Sequence, residues 1–118
     1  MQRIIAITLC LVVMSALCAS AQSQHEMNSA AAAEYKLADA ELNKVYRKLR
    51  AKLDGDERRK LIATQQAWIK FRDADCEFAA LPSRGGTIYP LVHFGALTEK
   101  ATARTEELRW CIEDYGGR

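Results

Sequence analysis

The sequence has few of the residues that build catalytic or metal sites. It contains two histidines, His25 and His93, which lie far apart in the chain. No group of cysteines and histidines has zinc-site spacing, and no Ser-His-Asp arrangement, phosphate-binding loop or Gly-x-Ser-x-Gly motif is present. Asp73 and Asp75 are two residues apart, so on a helix they point to different faces and cannot flank one bond. We therefore expect a protein that is not an enzyme and that has no metal or cofactor.

The sequence also has few prolines and almost equal numbers of acidic and basic residues. The 118 residues include two prolines, with 17 Lys and Arg against 15 Asp and Glu. A formal charge of +2 gives no electrostatic footprint for nucleic acid. The apolar content of 49% is typical of a globular chain rather than a disordered one. The length fits one small domain.

A long apolar run occurs only at the N-terminus. Arg3 is followed by an apolar stretch over residues 4–17 and by the small residues of Ala19-Ser20-Ala21. This is the pattern of a secretory signal, and the stretch is too short for a good membrane span. The sequence predicts cleavage after Ala21, a mature domain of residues 22–118, and a periplasmic or secreted location with no transmembrane segment. Lipidation at Cys18 is the less favoured alternative, because the bulky Leu17 precedes it.

Cleavage would leave two of the four cysteines. Cys76 and Cys111 would then meet in an oxidising compartment, where a disulfide is the expected outcome. Such a bridge would close a loop of about 36 residues and contribute roughly 4 kcal/mol. We therefore predict a Cys76–Cys111 disulfide.

Helical periodicity dominates the rest of the chain. Apolar residues recur every three or four positions over residues 26–53, 57–80 and 98–115, which predicts three α-helices. Pro82 would end the second helix, and residues 81–96 would form a long irregular loop in which Pro90 could start one helical turn. The predicted fold is all-α, an antiparallel helical hairpin with a third helix packed across it.

Polar residues interrupt the predicted inner faces. Gln65 and Arg72 share a stripe with Trp68 on the second helix, and Arg104 interrupts the third. A partly buried ion-pair network with Asp39, Glu41 or Asp73 is the favoured interpretation of the arginines, and an anion site between helices is the alternative. Trp68 is expected to be mostly buried. A basic cluster on the first helix is interpreted as a solvated face, with anionic lipid or polymer as the alternative ligand; it consists of Lys44, Arg47, Lys48, Arg50 and Lys52.

Several motifs taken together resemble the LprI-type lysozyme-inhibitor family of small secreted bacterial domains. The segments are Glu26-Met27-Asn28, Leu42-Asn43 with Tyr46, Gln65-x-x-Trp68-x-x-x-Arg72-Asp73-x-x-Cys76, Gly86-Thr87 with Pro90, and Leu97-Thr98 through Arg104 to Leu108. The matching residues are expected to form a structural core motif of Leu42, Asn43, Tyr46, Gln65, Trp68, Arg72 and Arg104.

The resemblance implies a non-enzymatic inhibitor that binds lysozyme or another peptidoglycan hydrolase. Lysozyme clefts contain paired carboxylates, and a cation placed between them would block the cleft. The candidate is the loop Arg84-Gly85-Gly86, because arginine recognises carboxylates bidentately and the glycines permit close approach. An exposed arginine that merely ends a helix is the competing interpretation. The alternative function is a non-inhibitory envelope module that binds another protein or a cell-wall polymer.

Overall fold

The computed structural model describes the backbone of residues 2–116 and the side chains of residues 17–19 and 21–115. Three α-helices follow one another: α1 (Gln2–Lys52), α2 (Gly55–Ala80) and α3 (Tyr89–Gly116), with a 3-10 turn at Leu81–Ser83. The described part of the chain contains no strand, so the predicted all-α class with three helices is confirmed. Most of the predicted export signal lies outside the described side chains.

The tightest helix pair is α1 with α3, and these two helices run in the same direction. Tyr35 contacts Phe94 near the start of α3, and Glu41 pairs with Arg109 further along it. The centre of the interface holds small side chains, such as the fully buried Ala101 and Thr105 on α3. Small residues let the two backbones approach closely, which is why this pair is tighter than the α1–α2 hairpin that the sequence suggested.

The core follows the predicted apolar stripes. The buried cluster consists of Leu42, Val45, Leu49, Leu53, Ala101 and Leu108, with Trp68, Tyr46 and Tyr115 among the residues packed against it. Helix α2 returns antiparallel to α1 and α3 and completes the cluster from a third side. Helix α2 contributes the partly buried Leu61 and Trp68 to this cluster and packs mainly against α3.

The irregular segment is shorter than predicted. Helix α3 begins at Tyr89 rather than Thr98, so only residues 81–88 connect it to α2. Pro90 is the second residue of α3, where the missing N–H costs no intrahelical hydrogen bond. The N–H of Val92 already donates to the carbonyl of Ile88 at 3.2 Å. The prediction of one long irregular loop over residues 81–96 was therefore wrong for its second half.

The predicted Cys76–Cys111 disulfide is also wrong, since both cysteines are free. The two residues lie toward the C-terminal ends of α2 and α3, but these helices are antiparallel. The 2.8 Å ion pair of Lys100 with Asp75 places Cys76 at the level of residue 100. Eleven residues of helix, about 16 Å, then separate that level from Cys111. A bridge needs Cα atoms within about 7 Å of each other.

Candidate partner-binding site

Two arginines converge on Trp68 at the centre of the bundle. The guanidinium of Arg72 lies 5.3 Å from the Trp68 ring centroid, and that of Arg104 lies 5.9 Å from it. Trp68 itself is half-buried against the apolar core, less completely than predicted. A guanidinium over an indole face is attracted by the ring's quadrupole. The cluster therefore joins α2 to α3 through one aromatic ring.

Each arginine also has hydrogen-bonding partners at the helix interfaces. Arg72 pairs with Asp73 at 2.7 Å and reaches Asp39 on α1 at 3.6 Å. Arg104 donates from Nε to the Oε1 of the buried Gln65 at 3.1 Å and pairs with Glu107 at 2.7 Å. The predicted ion-pair network of Arg72 with Asp39 and Asp73 is therefore present.

The remaining motif residues divide between core and surface. Leu42 is buried, and Tyr46 packs against the apolar cluster. Asn43 is exposed, and its Nδ2 donates to the Asp39 carbonyl at 2.9 Å and to the Asp39 carboxylate at 3.1 Å. Most of the motif holds the helices together, so it does not mark a binding surface.

The loop of Arg84, Gly85 and Gly86 is exposed at one end of the bundle. Gly85 has φ +79°, a left-handed conformation that favours glycine. Arg84 does not extend freely, because its Nη2 lies 3.2 Å from the Oε1 of Glu77 on α2. Both side chains of this pair are more than 60% exposed, so the pair is of the kind that contributes little to stability.

Exposed apolar side chains flank this loop in the sequence. Phe78 is 72% exposed, and Leu81 and Ile88 are also exposed on either side of Arg84 in the chain. We call Phe78, Leu81, Arg84 and Ile88 the tip. The sequence motifs did not indicate the apolar residues of the tip, although the position of Phe78 outside the inner stripe of α2 is that of an exposed residue.

One hydrogen bond fastens the tip to α1. Asn28 donates from Nδ2 to the Thr87 carbonyl at 2.8 Å, and the adjacent Met27 is 46% exposed. The Glu26-Met27-Asn28 and Gly86-Thr87 motifs, which are far apart in sequence, therefore meet at this point. The contact ties the loop that carries Arg84 to α1.

No other feature of the described residues indicates catalysis or metal binding. No group of three His, Cys, Asp or Glu residues among them could hold a metal ion. Within the same part of the chain, no helix is both long and apolar enough to cross a membrane.

Comparisons with known proteins agree with this architecture. The family described as lysozyme inhibitor LprI matches residues 16–108. An uncharacterized protein of Rhizobium meliloti (strain 1021) is 36% identical over 109 residues, which cover 81% of this chain and 78% of the relative. The crystal structure of a DUF1311-family protein from Pseudomonas putida KT2440 has the same fold, with a TM-score of 0.67 at 22% identity over 71% of this chain and 88% of that one. The match over most of its length shows that the chain belongs to the LprI family.

Proposed function

We propose that this protein inhibits lysozyme-type peptidoglycan hydrolases by protein–protein binding. The observation that carries the proposal is the family match over residues 16–108. The exposed tip, which combines one cation with three apolar side chains, supports the proposal. Arginine and large apolar residues are the groups that dominate binding energy at protein interfaces.

The chemistry of the tip suits a cleft that contains carboxylates. Arg84 already holds the carboxylate of Glu77, and a partner's carboxylate could take that place at little cost because the pair is exposed. Phe78 and Ile88 would lose water on contact and exclude it from the new ion pair. An ion pair shielded in this way is stronger than one in water. The protein acts here as a binding surface and performs no chemical step.

We further propose that the protein acts outside the cytoplasm. The N-terminal sequence supports export with cleavage after Ala21, and the packed part of α1 lies beyond that position. Among the described side chains, the first tertiary hydrogen bond of α1 comes from Asn28, and the first buried side chain is Ala31. The described contacts that hold α1 in the bundle therefore begin beyond Ala21. Cys18 is exposed, and lipidation there remains the alternative route to the envelope.

Substitution of Arg84 tests the inhibitory site. We expect Arg84→Ala to weaken inhibition of a sensitive lysozyme by more than about tenfold, or about 1.4 kcal/mol, in a cell-wall lysis assay. The melting temperature should not change, because the lost ion pair with Glu77 is exposed. Arg59→Ala is the matched control, since Arg59 also has an exposed ion pair, with Asp56, but lies at the opposite end of α2.

The possible outcomes test the position of the inhibitory site separately from the inhibitory function itself. If Arg84→Ala and Arg59→Ala inhibit like the wild-type protein, the inhibitory surface is elsewhere. If the wild-type protein inhibits none of several lysozyme classes, the inhibitor proposal is overturned. The non-inhibitory envelope module, which binds another protein or a cell-wall polymer, would then be the better description.

A further inference from the structure

Three arginines line one open pocket at the end of the bundle opposite the tip. Arg47 and Arg50 project from the last turns of α1, and Arg58 from the first turn of α2. Together with Ala51 they line a pocket of about 320 Å³. The sequence showed the basic cluster on α1, but the contribution of Arg58 depends on the tight turn that joins the two helices. We call this the arginine pocket.

The arginine pocket has no acidic partner within the described part of the chain. None of its three guanidinium groups forms an ion pair there. The nearby Asp56 is occupied by Arg59 at 3.4 Å and by Lys60 at 3.0 Å. Arg47 and Arg50 are three residues apart on one helix, an arrangement in which like charges destabilise the helix.

Helix dipoles do not remove this positive charge. The C-terminal end of α1 and the N-terminal end of α2 meet at the turn, so their partial charges oppose each other. Arg58 is held in place because its Nε donates to the Leu53 carbonyl at 2.8 Å. Its terminal nitrogens remain without an ion pair among the described residues. The pocket is therefore a cluster of like charges of which one member is fixed in position.

The number and type of cations favour phosphate as the ligand. A carboxylate presents two oxygens and is satisfied by one guanidinium fork. A phosphate group presents more acceptor oxygens in a tetrahedral arrangement and can accept from several guanidinium groups together. The pocket is open, and its volume leaves room for the group that carries the phosphate.

We propose that the arginine pocket binds a phosphate group on an anionic envelope component. Binding would relieve the repulsion among Arg47, Arg50 and Arg58. The site is independent of the inhibitory function, because it lies at the other end of α2 from Arg84. The protein could therefore bind a phosphate-bearing ligand and a hydrolase at the same time.

Two probes test the proposal on the full chain. Isothermal titration calorimetry with tripolyphosphate measures the binding of phosphate groups that are free in solution. Sedimentation with phosphatidylglycerol vesicles, compared with phosphatidylcholine vesicles, reports binding of lipid phosphates under a net negative surface charge. We expect Arg47→Ala/Arg50→Ala to weaken binding to at least one probe by about tenfold or more, since two charge-assisted hydrogen-bonding groups are lost.

A matched control variant distinguishes loss of a specific site from a general decrease in the protein's positive charge. Lys36→Ala/Lys70→Ala also removes two exposed cations that have no ion pair in the described part of the chain, but both are far from the pocket in sequence. We expect this variant to bind like the wild-type protein. If only the pocket variant loses affinity, and it does so for tripolyphosphate, the site binds free phosphate groups. If only the pocket variant loses affinity, and it does so for vesicles but not for tripolyphosphate, the phosphate is that of a lipid. Equal loss in both variants, or no binding of either probe by the wild-type protein, would overturn the proposal.

Discussion

At the residue scale, the polar side chains of the inner faces are what connect the helices. Gln65 is buried, yet its side-chain oxygen accepts a hydrogen bond from Arg104 on α3. No buried side-chain nitrogen or oxygen among the described residues lacks a partner. A buried polar group without a partner costs about 1–3 kcal/mol, so full pairing is a condition for this core to be stable.

Trp68 is the residue on which this network depends. We expect Trp68→Ala to lower the free energy of unfolding by about 3 kcal/mol, because it removes a large packed ring and the surface on which two guanidinium groups rest. Trp68→Phe keeps an aromatic ring and should cost only about 1 kcal/mol. Urea unfolding followed by circular dichroism measures both. Equal stability of the alanine variant and the wild-type protein would show that the ring is not packed as described.

The cysteines show what residue-level patterns cannot establish. Both cysteines occupy inner positions of their helices, as the periodicity predicted, and Cys76 is completely buried. A position on an inner face fixes the angle around the helix but not the level along it. The level follows from helix direction and from interhelical contacts such as Lys100 with Asp75, which no local pattern encodes.

At the element scale, glycine has opposite roles in two places near the start of α3. Gly85 precedes the helix with φ +79°, and Gly95 lies inside the helix in an exposed position. A Cβ atom would meet nothing within 4 Å at either site, so only the backbone conformation differs. Substitution by alanine at each site therefore measures the contribution of backbone conformation to stability.

Alanine at these two positions should have effects of opposite sign. We expect Gly85→Ala to destabilise the protein by about 1–2 kcal/mol, the cost of a left-handed conformation for a residue with a Cβ. Gly95→Ala should stabilise it by about 0.5–1 kcal/mol through its higher helix propensity. Thermal unfolding compares the two. Stabilisation by Gly85→Ala would contradict the turn geometry given above.

The elements themselves were predictable where periodicity is strong. The stripe of Leu42, Val45 and Leu49 was expected to face inward, and all three residues are buried. The first turns of α3 were missed because Pro90 and Gly95 discourage helix in an isolated segment. In the folded chain Pro90 lies in the first turn, where it is tolerated, and the ring of Phe94 lies 6.0 Å from that of Tyr35. Tertiary contacts outweighed the local preference.

The candidate site could be predicted only in part. The sequence located the Arg84 loop, because paired glycines and a nearby proline mark a turn. It did not show that Arg84 pairs with Glu77, since that contact depends on the register of α2 against the loop. The arginine pocket was missed for the same reason, because Arg58 joins Arg47 only through the geometry of a turn.

At the scale of the whole molecule, the tip and the arginine pocket lie at opposite ends of α2. The 20 residues of helix from Arg58 to Phe78 separate them by about 30 Å. That distance exceeds the screening length at physiological ionic strength several times, so charge at one end has little effect on binding at the other. Substitutions at Arg84 and at Arg47 should therefore act independently.

The folded molecule as a whole holds certain protons more tightly than the unfolded chain. Burial raises the pKa of the Cys76 thiol above its ordinary value of 9.0, and burial likewise raises the pKa of Tyr35 above 10.0. The hydrogen bond to Asp75 raises the pKa of Lys100 above 10.5. A raised pKa in the folded state gives stability that is complete below the unfolded pKa and is lost as the pH rises through the folded pKa.

All three groups therefore act in the same direction at alkaline pH. We expect the free energy of unfolding, measured in urea, to fall as the pH rises above about 9, where the unfolded Cys76 thiol begins to ionise while the folded one remains protonated. In Cys76→Ala the decrease in the free energy of unfolding between about pH 9 and pH 10 should disappear. The decrease should then begin near pH 10, where the Tyr35 hydroxyl of the unfolded chain ionises. A wild-type stability that stays constant or increases between pH 8 and pH 11 would contradict the burial of both groups. Because the charge of an ionised Cys76 also acts on Tyr35, the Cys76→Ala variant removes that small contribution together with the thiol.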